Sequence, residues 1–422
     1  VKLSTTYSTR AGDTFAGVSR KVFGVESYSS VIASANPGVF DPLPAAIQLI
    51  IPQVADAPAN IPQNSPAGGI DEVSLTILGK RFRFWDGVTV KNSIDSVDTL
   101  ELTAPFDALN AEFIAFFRPF EYQPVTASIG GELVFTGTLI TVKPTASAKG
   151  VAVAAGAYSL PGVLVDCCAP ASMFADNGEQ GDSLEFENAD LRSIAKNLLT
   201  PFGLTAVFIA PPGKAFEVLS MQAGEEVMPF LAKLAKQRNL VITSNAKGQV
   251  VFWQSNPGGD PVARFVEGVA GPMSTIDADF KTQSYFSHLT GISRTEVGSD
   301  GGQYTAKNSR LPGVLRPFTF EATEAEGESI VTATKAKLGR MFGDAIAYSV
   351  ELDTWRDSRG KLWAPNTTVI VEAPSVMIYK PYELLIRDVT FKRDSNGAGA
   401  TLTLVLPASY SGEIPGAMPW DL

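Results

Sequence analysis

Thirty-seven glycines and 28 prolines punctuate this chain of 422 residues, and they limit its fold more than any other feature. Both residue types end helices and make turns, so the chain favours short strands and tight connections over long helices. A chain of this length rarely closes around one core, which predicts two to four domains. Hydrophobic residues make up 45% and charged residues 18%, the latter below the globular average of about 25%.

Several classes of protein are excluded at once. No apolar run reaches the roughly 18 residues of a membrane-spanning helix; the nearest, residues 151–160, is diluted by Ala and Gly and stopped by Pro161-Gly162. The opening VKLSTTYSTRAGD has no apolar core, so no secretory signal peptide is expected. The only cysteines, Cys167 and Cys168, are adjacent and poorly placed for a structural disulfide, which points to folding in a reducing compartment. A net charge of −10 without Lys/Arg clusters argues against a gripped nucleic acid.

Catalytic and metal chemistry find no support. His288 is the only histidine, so any Ser/His/Asp triad must use it, with Asp277 or Asp279 as the orienting group. No nucleophile elbow stands near it, and a plain strand histidine is the expectation. Cys167-Cys168 lacks the spacing of a zinc site. The acidic stretch from Asp176 to Asp190 puts Gly181 and Glu187 at positions six and twelve of a calcium loop, but Gly178 at position three offers no side-chain oxygen. A solvated loop is expected there, with no metal, no cofactor and no enzyme activity.

The first 53 residues carry charge +1, leaving −11 on the rest. A strand at Thr6-Tyr7-Ser8-Thr9 leads to Gly12-Asp13-Thr14, where Asp13 or Thr14 caps a helix whose Phe15, Val18 and Val22 share one face. A second helix over 28–35 ends at Asn36-Pro37-Gly38, and 47–52 closes the unit as a strand. This β-α-α-β order, with Gly12-Asp13-Thr14-Phe15, Val18-Ser19, Phe23-Gly24, Asn36-Pro37 and Ile50-Ile51-Pro52, resembles a LysM module. Ile47-Gln48 stands where such modules usually have Gly-Gln. The resemblance implies glycan binding through Gly12, Asp13, Thr14 and Phe15 in one turn and Asn36, Pro37 and Gly38 in the other, with Ile50 giving apolar cover. The same groove could equally dock a protein.

Residues 54–70, with Pro58, Pro62 and Pro66, form a tether able to span roughly 50 Å when drawn out. Strands are expected at 73–77, at 100–102 in an edge-like segment, and in a hairpin over 125–136 turned by Gly130-Gly131. Val163-Leu164-Val165 is expected to be a short buried strand. Two helices follow. One has Leu191, Ile194, Ala195, Leu198 and Leu199 on its face with Asn188 or Asp190 as cap; the other carries Phe230, Leu231, Leu234 and Ala235, and Pro229 is awkward there unless it sits in the first turn. A hairpin over 240–253 and the turn at 256–259 close this segment. Beyond it strands dominate, interrupted by a helix with Ile330, Ala333, Leu338 and Met341 on its face, a turn between Trp355 and Trp363, and a closing hairpin to Leu406. The tail 407–422 is expected to dock rather than fold alone.

The order of Gly130 through Gly137, Gly156 through Asp166, Gly224-Glu225-Glu226 with Phe230 through Ala235, Gly248 through Phe252, Trp355 through Trp363 with Pro365-Asn366, and Glu383 through Ile386 resembles the baseplate hub proteins of contractile-tailed phages, the group typified by the phage Mu hub. The fold class is therefore α+β, multidomain and mainly β. A βααβ LysM domain (1–53) and linker (54–70) precede a first barrel-like domain (71–160), an inserted α/β domain (161–260), a second barrel-like domain (261–406) and the tail (407–422). The resemblance implies a homotrimer that presents six barrels, a ring between the six-fold tail tube and the three-fold central spike. Wedge or sheath-initiator proteins would be neighbours, and DNA and tape measure would pass through a neutral or acidic channel without specific binding. The location implied is the virion baseplate. The rival from another class is a LysM-targeted cell-wall hydrolase or glycan-binding effector, with peptidoglycan as its partner.

Overall fold

The computed structural model describes residues 5–10, 12–23, 29–51, 71–147, 150–176, 179–180, 183–254, 260–292, 302–322, 328–395 and 397–422. The expected tether at 54–70 and the turn at 256–259 lie outside the described residues.

Residues 5–51 fold as β-α-α-β. Strands Thr5–Ser8 and Gln48–Ile51 pair antiparallel, with helices Phe15–Phe23 and Ser29–Ala35 between them. Among the described residues its core holds Phe15, Val18, Ile32, Leu43, Leu49 and Ile51. Of the two candidate caps, Thr14 performs the role, its Oγ1 accepting the Gly17 N–H at 3.0 Å.

The remainder is built on a thirteen-stranded sheet. In its first half, Gly87–Ser93, Thr99–Pro105, Gly150–Ser159, Glu132–Ser147, Pro124–Ile129, Val73–Ile77 and Lys80–Phe82 lie side by side. Gly130 and Gly131 both take positive φ (57° and 83°) in the hairpin turn, a conformation that glycine reaches without a Cβ clash. One end is closed by the helix Ala111–Phe116, where Phe82 meets Phe113, Phe116 and Phe117 edge-on at 5.9, 5.5 and 5.4 Å. One expectation is corrected: residues 100–102 lie in an interior strand, paired on both sides, rather than at an edge. The Ala/Gly-diluted run at 151–160 supplies most of its neighbour, Gly150–Ser159.

The second half contributes Met273–Phe280, Ile346–Leu352, Gly397–Val405, Ile378–Asp394, Thr368–Ala373 and Ala263–Val266. The two halves are not separately closed. Ile378–Asp394 pairs antiparallel with Gly87–Ser93 in an unbroken register from Asp388↔Ser93 to Arg393↔Val88, and one apolar core runs from Leu75 to Met418 through both. Each half is organised around one long hairpin, led by a strand of 16 residues (Glu132–Ser147) and one of 17 (Ile378–Asp394). The halves differ in one respect: Ala263–Val266 pairs parallel with Thr368–Ala373, whereas the strand pairs of the first half are antiparallel.

Trp355 and Trp363 flank a turn and are both buried. The Trp355 indole donates to Gly399 O at 2.7 Å and that of Trp363 to Thr354 O at 3.0 Å. Between them Arg356 reaches across to the first half, with Nε 3.1 Å from Asp71 and Nη1 2.6 Å from Glu132.

A second core, Leu164 to Phe252, belongs to the segment between the halves. Helix Leu191–Leu199 buries the five residues of its expected face and is capped by Asp190, whose Oδ1 accepts the Ser193 N–H at 2.8 Å. Helix Val227–Gln237 buries Phe230, Leu231, Leu234 and Ala235, with Pro229 in its first turn. The expected strand at Val163-Leu164-Val165 is instead a helical turn, Val163–Asp166, that continues the 3-10 turn Leu160–Gly162. Proline early in that turn pre-sets the helical φ, and of the three residues only Leu164 is fully buried.

The tail docks on its own chain. Arg310 bonds Asp421 at 3.0 Å and Pro415 O at 3.1 Å, and the Tyr382 hydroxyl donates to Ala417 O at 2.8 Å. Its first turn lies on helix Glu328–Ala345, so close that a Cβ at Gly339 would stand 2.8 Å from Ala408 O. Among the described residues no helix is long and apolar enough to cross a membrane.

Candidate functional site

The eight residues singled out from the sequence lie in or beside the two turns of residues 5–51, and internal contacts hold Asp13, Asn36 and Phe15 in place. Asp13 is buried; it accepts the Arg10 N–H at 2.8 Å and pairs with Lys21 at 2.6 Å, and these bonds, Lys21 first, hold its carboxyl below the usual range. Asn36 is buried too. Its Nδ2 donates to Ile32 O and Ile50 O at 2.8 and 2.7 Å, and its Oδ1 accepts the Ile50 N–H at 2.7 Å. Phe15 belongs to the core, and its N–H is held by the Asp41 carboxylate at 2.8 Å. Gly12, Pro37, Gly38 and Ile50 remain exposed and Thr14 half-buried.

Near His288, Ser287 Oγ lies 2.9 Å from Nδ1 and also accepts the Arg316 N–H at 2.8 Å. Asp277 and Asp279 face Ser349 and Ala347 along another strand, and Asp279 pairs with Lys281 at 2.8 Å. Among the described residues no carboxylate completes a triad. Cys167 and Cys168 are free thiols. Glu187 stands in a strand opposite Val218 rather than in a loop, and among the described residues no group of potential ligands could hold a metal ion.

Two features carry no motif in the sequence. Beyond the Phe82 cluster, Leu109 (92% exposed), Phe120 (93%) and Tyr122 project from one rim of the first half. Phe120 and Tyr122 have positive φ (63° and 49°), an unfavourable backbone for aromatic residues. The loop 93–98 forms the other, a junction. The Thr243 hydroxyl donates to Ser93 O and Ser96 O, both at 2.7 Å, and the Trp253 indole to Ile94 O at 3.1 Å. The Ser93 hydroxyl donates to Asp388 at 2.6 Å and that of Tyr410 to Asp95 at 2.5 Å. First half, inserted segment, second half and tail therefore meet on six residues.

Buried Asp98 accepts the Ser93 N–H at 3.1 Å. Burial pushes its carboxyl up to about 7, against the opposing pull of neutral donors from Ser93, Ser244 and Asn92. Asp388 is equally buried but has Arg387 at 3.1 Å and Lys91 at 3.7 Å.

Residues 161–254, which hold the second core, match the family described as baseplate hub protein gp44-like, second domain. The baseplate hub protein gp44 of Escherichia phage Mu is 27% identical over 357 residues, spanning 79% of this chain and 87% of that protein. The 43 kDa tail protein of prophage MuSo2 from Shewanella oneidensis shares the fold at a TM-score of 0.67 and 24% identity, over 80% of this chain and 99% of that one. A tail protein from Neisseria meningitidis MC58 does so at 0.66 and 18%, over 81% and 98%.

Proposed function

We propose that this homologue of the phage Mu baseplate hub protein, which carries the gp44-like second domain, is the hub of a contractile-tail baseplate or a related injection machine. Its relatives are structural tail proteins rather than enzymes, and its own role is structural. The observation that carries the reading is the similarity to the Mu hub along 79% of this chain and 87% of that protein. Three copies form the ring. Two halves, each organised on one long hairpin, would then present six similar units to a six-fold tube and three chains to a three-fold spike. Channel walls of neutral or negative potential let DNA pass without phosphate contacts. The exposed rim of Leu109, Phe120 and Tyr122 suits a protein neighbour.

Mass measurement at micromolar concentration is expected to return a trimer. Only monomer and dimer, even with the spike protein present, would overturn the ring. Phe120→Asp with Leu109→Asp is expected to block assembly with tail components without changing the melting temperature, because both side chains are in solvent.

Residues 5–51 have the β-α-α-β order of a LysM module, and Gly12, Thr14, Pro37, Gly38 and Ile50 remain accessible to a glycan or a baseplate neighbour. Asp13, Asn36 and Phe15 act by holding the turns in shape. Removing residues 1–53 is expected to leave the ring intact. Chitin oligomers at millimolar concentration, titrated against the full chain and the shortened one, decide the glycan role: equal response of both excludes it. A zymogram on cell-wall substrate is expected to stay blank, and clearing would revive the hydrolase.

A further inference from the structure

Beside the junction lies a cleft of about 660 Å³ between the first half, the inserted segment and the Trp355–Trp363 turn. Asp98, 2% exposed, lines its floor with Trp253 and Trp363. Its walls are apolar and partly open: Leu133 and Leu362 on one side, Val207 and Ile209 on the other, with Ile209 73% exposed. Among the described residues, strand Ala206–Phe208, which carries Val207, pairs on one side only, with Val250–Trp253.

The comparison of Asp98 with Asp388 gives the cleft its chemistry. Both carboxyls are buried at one junction, and burial of a carboxylate is costly unless a cation compensates. Asp388 has two cations; Asp98 has only neutral donors among its partners. The other charged groups nearby are occupied or peripheral. Asp95 bonds Tyr410, Glu132 at the rim pairs with Arg356, and Lys361 stands exposed at the rim.

From this geometry we infer that the cleft receives an extended segment of a partner protein, with a Lys or Arg side chain reaching Asp98 between apolar neighbours that pack on Leu133, Leu362 and Ile209. The missing counter-charge selects the cation, the −10 net charge of the chain favours a basic partner, and the one-sided strand beside the cleft suits an extended backbone. Unoccupied, the Asp98 carboxyl is half protonated near neutral pH. A bound ammonium or guanidinium stabilises the carboxylate, so binding expels a proton and tightens as pH rises through neutrality. This inference does not rest on the hub reading.

The test uses the full chain and two peptides, N-acetyl-Ala-Leu-Lys-Leu-Ala-amide and its norleucine analogue, followed by calorimetry and Trp fluorescence. The lysine peptide is expected to bind about tenfold more tightly, a difference of about 1.4 kcal/mol, with proton release and with a preference that grows from about pH 6 to about pH 8 around the Asp98 midpoint. Asp98→Asn is expected to abolish the preference and the proton release while keeping the weaker norleucine binding. Ile209→Trp, a change at an exposed site, is expected to weaken both peptides without affecting the melt. Equal affinity of the two peptides, a preference that survives Asp98→Asn, no binding at millimolar peptide, or n-butylamine binding as tightly as the lysine peptide would each overturn the proposal.

Discussion

The β-α-α-β unit and the sheet-built body solve the same problem by different means. Among the described residues the unit's apolar core is formed by Phe15, Val18, Ile32, Leu43, Leu49 and Ile51, and polar staples join its parts: Asn36 ties a helix to a strand, Asp41 holds the start of the first helix, and Asp13 bridges Arg10 and Lys21. In the body one apolar core runs through both halves, and polar contacts are concentrated where parts meet. A small domain leaves more of its stability to hydrogen bonds, because the fraction of surface it can bury is lower than in a large one. The side chains that look most like ligands in the small unit are therefore the ones least available to a ligand.

Substitutions sharpen that contrast. Trp355→Ala removes a fully buried indole and its bond to Gly399 O, and is expected to cost the body ~3–5 kcal/mol, read as a lower denaturation midpoint with hydrogen exchange in 5–51 unchanged. Asn36→Ala strands the Ile50 N–H and two carbonyls. It is expected to cost the unit ~2–3 kcal/mol, seen as faster exchange confined to 5–51; equal loss of protection in the body would show that the two regions fold as one. Arg356→Ala removes the clamp on Asp71 and Glu132, an effect of ~0.5–1 kcal/mol on the body because both carboxylates are exposed to solvent.

Acid is expected to separate the regions by sign. The Asp13 carboxyl is held below its ordinary value, so its contribution is present above the unfolded value of 3.8 and is lost as pH falls through the lower folded one. Asp98 is the reverse. With its folded value raised to about 7, the native state takes up a proton first, and its unfavourable contribution fades as pH falls from about 7 towards 3.8. Asp13→Asn is expected to flatten the acid limb of exchange in 5–51, and Asp98→Asn the neutral limb of body unfolding; identical pH profiles in both variants would refute the contrast.

Elements with a local cause were legible in the sequence. The faces of helices Leu191–Leu199 and Val227–Gln237, the Gly130-Gly131 turn and the hairpin between the tryptophans are set by spacing, caps and glycine conformation. What escaped depends on distant partners. Nothing near Ser93 announces Asp388 opposite it, and nothing near Asp98 announces the inserted segment that buries it. Val163–Asp166 was misleading because its apolar Val-Leu-Val run reads as a strand, while the proline turn before it pre-sets a helical backbone that the run continues. The candidate turns of the small unit were correctly located as turns, but whether Asp13 and Asn36 face inward is decided by Lys21 and Ile50, which spacing alone does not reveal.

The ladder between Gly87–Ser93 and Ile378–Asp394 also determines how the molecule bears force. A pull that slides the two halves past one another along the strands loads all six register pairs from Asp388↔Ser93 to Arg393↔Val88 at once, in shear, so they must fail together. A pull at right angles would open them one after another. The seam between the halves thus behaves as a stiff beam under such a load, and deformation is expected first in the loops that join the strands.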